Sequence, residues 1–407
     1  MRKTRLVIAG ATLLAATLTM SACGTRSADT GTGSSSTGTK SATIGVISPL
    51  TGDLSALGLG IQHSVELAVK QANDNNTVPG WKFEVEAEDD QATPDVGRNA
   101  ATKLAGNKSV IGVVGTLNSS VAQTVQPVLA GANIAMVSPA NTNPSLTQGA
   151  NYLTAPKRSY PNYFRVCTTD AVQGPFAAQY LYQNAKITQV ATINDKKAYG
   201  QGLVQNFSTE FKKLGGTLVS EQTINPDDKD FSAVISKVKA TNPKAVYYGG
   251  EYPQAGPLAQ QMKAAGLNVP LMGGDGIFDP AYIELAGKKS DGDLATSVGA
   301  PTDKLDSAKA FVDAYTAGNY PDPYGAYGAQ AFDAANAIIN AAKTSLASAT
   351  DVASALTPTI DALGKVSFDG ATGKVAFDQY GDTTTRVLTV YKVTNGKWAA
   401  EETKEFQ

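Results

Sequence analysis

The chain is poor in the residues that most protein chemistry needs. Among 407 residues there is one histidine, His63, and there are two cysteines, Cys23 and Cys167. Histidine-based catalysis and a His/Cys metal centre are thereby disfavoured, so no catalytic residue, metal or cofactor is expected. Lys and Arg number 34 against 36 Asp and Glu, for a formal net charge of −2. The first 22 residues hold Arg2, Lys3 and Arg5 and no acid, so the remainder is more acidic still. That balance leaves no basic footprint for nucleic acid or for an anionic membrane face. G-x-S-x-G, P-loop, G-x-G-x-x-G and C-x-x-C motifs are all missing. Paired acids in "DGIFD" and "EAEDDQ" are of the sort glycoside chemistry uses, but acid pairs in loops and on strand edges are usually solvated surface. What remains is 42% hydrophobic and long enough for two domains.

Residues 1–22 combine three positive charges with an apolar run over 6–20, too short to span a membrane (~20 residues) but fitting an export signal. Small residues before Cys23 resemble a bacterial lipoprotein signal, with Cys23 as the lipid-bearing first residue of the mature chain. The alternative is ordinary secretion with Cys23 a bystander; a lone Cys in an exported chain favours lipidation. Residues 23–42 then read as a flexible Ser/Thr/Gly tether, whose reach is about 25 Å. Two or three acyl chains, at ~0.8 kcal/mol per buried methylene, would hold the protein on the outer face of the cytoplasmic membrane. Cys167 is left without a partner and reads as a buried free thiol.

From residue 43, strand and helix patterns alternate. Strands are expected at 43–49, 83–89, 110–115 and 134–137. Between them lie helices through Ile61, Val65, Ala68, Val69 and Ala72, over 94–106, and from Ser119 with a bend near Pro127. The pattern restarts near "YFRVC" (163–167), with further strands at 189–195, 216–224, 245–250 and 270–274 and helices from Gln173, Tyr199, Phe231 and Pro253. Long helices at 305–316 and 326–343 and late strands over 373–378 and 384–398 follow. The expectation is an α/β fold of two doubly wound parallel-sheet lobes joined by a multi-strand hinge. Its expected boundaries are 43–168 plus 299–378 for one lobe and 169–298 plus 379–407 for the other. Two lobes joined by several crossings make a cleft that can open and close.

Ligands in such sheets sit beyond the carboxyl ends of the strands. Six strand-end loops here are small and polar: 48–58, 115–120, 138–144, 194–200, 249–254 and 273–278. Any one would be an ordinary turn, but six on two matching units point to a binding cleft. Ser119 falls at or near a helix N-cap, where donors can face an anion. In "SPANTNP", Ala140 and Thr142 offer a carbonyl, an amide and a hydroxyl in one turn, the mixture that a carboxylate beside an ammonium requires. His63 is expected to face solvent.

The stretches "IGVISPLTGDLSALG", "GTLNSS", "VSPANTNPSLT", "YFRVCTTDAVQGP", "INDKKAYGQGL", "DKDFSAVISKVKATNPKAVYYGGEYPQAG", "MGGDGIFDP" and "FDQYGD" occur in that order. Together they resemble the type I periplasmic-binding-protein family, in the branch of branched-chain amino-acid receptors of ABC transporters. The resemblance implies a monomeric solute-binding lipoprotein that captures a small amino-acid-like ligand and passes it to an ABC permease. It assigns the ligand's carboxylate and ammonium to Ser119, Ala140 and Thr142 and the ammonium also to Asp275. Tyr199 and Tyr327 become walls of the side-chain pocket. Leu57 and Glu251 depart from the family's aromatic and tyrosine at those places. Glu251 and Asp275 would put two carboxylates on one side of the cleft, which is costly without a cation or proton. Either the ligand is more cationic or richer in donors than leucine, or Glu251 turns to solvent. A ligand-sensing receptor for a signalling partner is the alternative use of this fold.

Overall fold

A computed structural model describes residues 39–406. The leader, Cys23 and most of the tether fall outside the described residues. The tether ends sooner than its composition suggests, because Lys40–Ala42 already pair with Trp81–Phe83 as strand.

The first sheet takes β1 (Lys40–Ser48), β2 (Trp81–Asp89), β3 (Val110–Gly115), β4 (Ala135–Ser138) and β5 (Tyr163–Arg165), all parallel, in the order β2-β1-β3-β4-β5. β3 and β4 are buried along their whole length, as strands covered on both faces must be, which is why they read as unbroken apolar runs. Between the strands run α1 (Ser55–Asp74), α2 (Pro94–Gly106), α3 (Ser119–Gly131) and the short α4 (Ser145–Gln148). α2 carries Pro94 in its first turn, where a missing N–H costs nothing, with Asp95 beside it.

After α5 (Asp170–Gln179) the chain enters a second sheet. β6 (Gln189–Asn194), β7 (Thr217–Thr223), β8 (Ala245–Gly249), β9 (Leu271–Gly273) and β10 (Leu294–Ser297) are parallel, with α6 (Ala198–Lys213), α7 (Ser232–Ala240), α8 (Tyr252–Ala264) and α9 (Pro280–Ala286) between them. The chain then leaves for α10 (Lys309–Ala317), α11 (Gly328–Ser345) and α12 (Val352–Leu363). Ile338 and Ile339 of α11 share a core with Val114 and Val137 of the first sheet. A small hairpin, β11 (Ser367–Gly370) and β12 (Gly373–Ala376), precedes β13 (Val387–Thr394) and β14 (Lys397–Glu405). These last two run antiparallel on the second sheet, completing the order β14-β13-β10-β9-β8-β6-β7.

Several elements differ from their sequence reading. The stretch at 163–167 does not open the second unit, since β5 pairs with β4 as the edge of the first sheet. Its anchor is Arg165, fully buried, with Nε 2.6 Å from Asp382 Oδ1. The last four residues of the expected 48–58 loop, from Ser55, are the first turn of α1. Pro127 sits inside an uninterrupted α3. α12, capped by a reciprocal Asp351–Ser354 box, had no counterpart in the sequence reading. The 305–316 helix begins only at Lys309, after two short 3-10 turns. His63 does not face solvent: it is 8% exposed and stacks on Tyr320 at 5.1 Å.

Candidate functional site

In both sheets the strand order reverses beside the first strand. The reversal falls between β1 and β3 in one and between β6 and β8 in the other. Loops leaving such strands diverge and leave a crevice beyond their carboxyl ends. The loops after β1 and β3 carry the start of α1 and Asn118-Ser119; those after β6 and β8 carry Lys197 and Glu251. Close approach shapes both. A Cβ on Gly58 would lie 1.8 Å from the Pro49 carbonyl oxygen, and one on Gly200 would lie 2.3 Å from Asp195 Oδ1, so neither position accepts a side chain as built.

The "SPANTNP" loop is held open by its own side chains. Ser138 Oγ accepts from the amides of Ala140 (3.2 Å) and Asn141 (2.9 Å). Arg165 Nη1 donates to the carbonyls of Asn141 (2.7 Å) and Asn143 (3.0 Å). Ala140 and Thr142 are buried here, and the Thr142 hydroxyl, beside the Asp170 carboxyl, makes no well-formed hydrogen bond among the described residues. Ser119 is buried as the first residue of α3, Asn118 taking the N-cap position, and its Oγ accepts from the Asn143 amide at 3.4 Å.

Asp275 stands just past β9. Its Oδ1 accepts from Gln173 Nε2 and from the Tyr199 hydroxyl, each at 2.9 Å, and its Oδ2 from the Tyr327 hydroxyl at 2.7 Å. Burial still outweighs these bonds and raises its pKa. Tyr199 and Tyr327 thus meet the site through their hydroxyls as well as their rings. Tyr327 stands at the N-terminus of α11, which packs on the first sheet, so Asp275 ties the two halves together.

Asp170 was missed by the sequence reading. At the first turn of α5 it is fully buried, its amide donates to the Thr142 carbonyl at 2.8 Å, and its Oδ2 has no partner among the described residues. Burial, then the charge of Asp275, push its pKa well above the usual carboxylate range. Two buried acids therefore stand near one another with Gln173 between them, Gln173 Nε2 lying 3.5 Å from Asp170 Oδ1. A site so arranged favours a bound cation with several N–H donors.

Glu251 fits neither alternative drawn from the sequence. It is 4% exposed, so it does not turn to solvent. Its charge is met by the protein itself: Lys197 Nζ lies 3.0 Å from Oε2, and Asn118 Nδ2 donates to Oε1 at 2.7 Å from the other half. Asp195 lies alongside, pushed up to about 8 by burial and then by the Glu251 charge. Leu57 is buried in α1 as part of the large hydrophobic core.

Other bonds join the two halves. Asn143 Nδ2 donates to the Ala198 carbonyl at 2.6 Å, and Asn206 Nδ2 to the Tyr152 hydroxyl at 3.0 Å. Among the described residues no cluster of three His, Cys, Asp or Glu could hold a metal, and no helix is long and apolar enough to cross a membrane. Cys167 is a buried free thiol.

A sequence profile described as periplasmic binding protein matches residues 41–397. The Leu/Ile/Val-binding protein BraC3 of Rhizobium johnstonii is 35% identical over 356 residues, 86% of this chain and 91% of that protein. Among solved structures, the leucine-binding protein LivK of Thermotoga maritima superposes with a TM-score of 0.79 at 27% identity, over 89% of this chain and 99% of its own. The branched-chain amino acid transporter substrate-binding protein LivJ of Streptococcus pneumoniae, in complex with isoleucine, gives the same TM-score at 26% identity, covering 90% and 100%.

Proposed function

The chain belongs to the periplasmic binding protein family, and from that premise we propose that it binds an aliphatic α-amino acid between its two halves. It is an extracytoplasmic solute-binding protein of an ABC importer, not an enzyme. The ligand's carboxylate would take the amide and hydroxyl donors around Ser119 and Thr142. Its ammonium would take the Ala140 carbonyl, the Thr142 hydroxyl and Asp275, with Asp170 close enough to share the charge. Tyr199, Tyr327 and Leu57 would bound the side chain. The observation that carries this reading is the pair of buried acids beside the Thr142 hydroxyl, which has the Asp170 carboxyl close by and no well-formed hydrogen bond among the described residues. Those groups want a cationic N–H donor, and the helix start at Ser119 wants an anion. Because Lys197 and Asn118 satisfy Glu251, the site does not call for a second positive charge on the ligand. Leucine, isoleucine and valine therefore fit without the extra donors that the sequence alone suggested.

Two lobes, 43–168 plus 299–378 and 169–298 plus 379–407, would close on the ligand by a shift of population toward the state in which it touches both. Cys23 would carry the lipid that holds a monomeric protein at the membrane. The test is calorimetric titration of protein refolded to strip carried ligand, with leucine, isoleucine, valine, amides and polyamines. Binding of the three aliphatic amino acids, lost in the Ser119→Ala/Asp275→Ala double variant, is the expected result. Wild-type affinity in that variant would overturn it, as would binding confined to polyamines.

A further inference from the structure

Beside the cleft, a groove of about 890 Å³ runs between the halves on the side where β13 and β14 join the second sheet, with Ala56, Phe278 and Ala326 at its inner end next to the cleft loops. That volume lies within the ~300–1,000 Å³ of small-molecule sites. One wall is aromatic and rigid. Tyr391 of β13 stacks on Phe278 with ring centroids 4.0 Å apart, and Trp398 of β14 stands 5.9 Å from Phe278. Trp398 is fixed by its indole N–H, which donates to the Asp279 carbonyl at 3.0 Å. The opposite wall is the loop before α11, with Tyr324.

Two further features say what such a groove would hold. Gln330, lining it from α11, is 4% exposed; its Nε2 donates to the Val298 carbonyl at 3.2 Å, and its Oε1 has no partner among the described residues. A buried carbonyl oxygen without a donor costs free energy that a bound N–H would recover. The charged lining residues are Asp279, Glu284 and Asp303 against Lys397. Asp279 also caps α9, accepting from the Ala281 amide at 2.8 Å, and Asp303 has Lys304 beside it at 3.3 Å. The excess is acidic, and aromatic faces attract cations.

We infer that this groove is a second ligand site, adjoining the amino-acid cleft but using none of its named side chains, for a small aromatic ammonium compound. The ring lies against Phe278 and Trp398, and the ammonium donates to Gln330 Oε1 within the field of Glu284 and Asp303. Because both halves supply walls, an occupant bears on how the halves sit together.

The test uses the full chain in detergent and 2-phenylethylammonium chloride, followed by tryptophan emission. Trp398 lines the groove, and the only other tryptophan, Trp81, is buried at the start of β2. Calorimetry on the same samples supplies a second readout. The expected result is saturable binding, kept in Asp275→Asn and weakened about tenfold by Glu284→Gln/Asp303→Asn, both exposed positions. Neutral 2-phenylethanol should bind about tenfold more weakly. No saturation by about 10 mM would overturn the inference. So would loss of binding in Asp275→Asn, which would place the compound in the cleft, or equal binding of the alcohol. Leucine titration of the Glu284/Asp303 variant, expected to be unchanged, keeps this outcome separate from that of the cleft.

Discussion

Thr142 shows how a residue can matter to a ligand and little to the fold. Its hydroxyl is buried with the Asp170 carboxyl close by and no well-formed hydrogen bond among the described residues, so much of its dehydration is a cost the empty protein already carries. Replacing it with valine removes that cost together with the bond a ligand would receive. Thr142→Val is therefore expected to leave the midpoint of thermal unfolding of the empty protein unchanged or raised. Amino-acid affinity should fall by about 10- to 100-fold, the worth of roughly 1.5–3 kcal/mol for a hydrogen bond to a charged group. Calorimetry and a melting curve on the same sample decide it; unchanged affinity would remove Thr142 from the site. The loop around Thr142 was legible because no strand or helix explains "SPANTNP". Asp170 was not. In "TTDAVQGP" an acid before an apolar run reads as an ordinary helix start, and its burial arises only when α5 meets the loop after β4. Glu251 was misread for a related reason, since its partners Lys197 and Asn118 lie 54 and 133 positions away along the chain.

At the scale of elements, the loops after β6 and β8 bring Asp195, Lys197 and Glu251 together, with Asn118 reaching in from α3. Tyr248 lies against Asp195, and Asp227 against Lys197. Asp195 is ordinary near 3.8 when exposed and about 8 in the fold. Between those values the folded chain holds a proton that the unfolded chain has released. Stability from this group is thus full below 3.8, falls as pH rises, and levels off above 8. Asp90, at about 7, and Asp333, at about 6, act in the same direction, so the diagnostic is a difference between proteins. Asp195→Asn should lose less stability than the wild type when urea unfolding at pH 5 is compared with pH 8. Equal losses would mean that Asp195 is ionised in the fold. The parallel, doubly wound layout, and with it the crevice, followed from the alternating pattern, because parallel strands need helical crossovers. β5 and α12 did not. A three-residue edge strand has too little pattern to assign to either sheet, and Pro358 inside α12 argues locally against a helix that Asp351 and the core nonetheless hold.

For the molecule as a whole, the halves are joined by bonds that need no ligand: Asn118 to Glu251, Asn143 to the Ala198 carbonyl, and Tyr327 to Asp275. Such bonds lower the free energy of the closed arrangement before any solute arrives, and a ligand adds only its own preference for that state. Asn118 is the informative one to cut. Removing its side chain leaves Glu251 paired with Lys197 inside one half, so neither half acquires an unmatched charge. The loss falls on the arrangement in which the halves meet. Asn118→Ala is expected to widen the empty protein in small-angle X-ray scattering, with the radius of gyration returning to the wild-type value at saturating leucine. Affinity should drop by about tenfold or more, the fraction of closed molecules having fallen by that factor. An unchanged scattering profile with unchanged affinity would show that this bond does not hold the halves together. Altered scattering with unchanged affinity would mean that the ligand does not select the closed state.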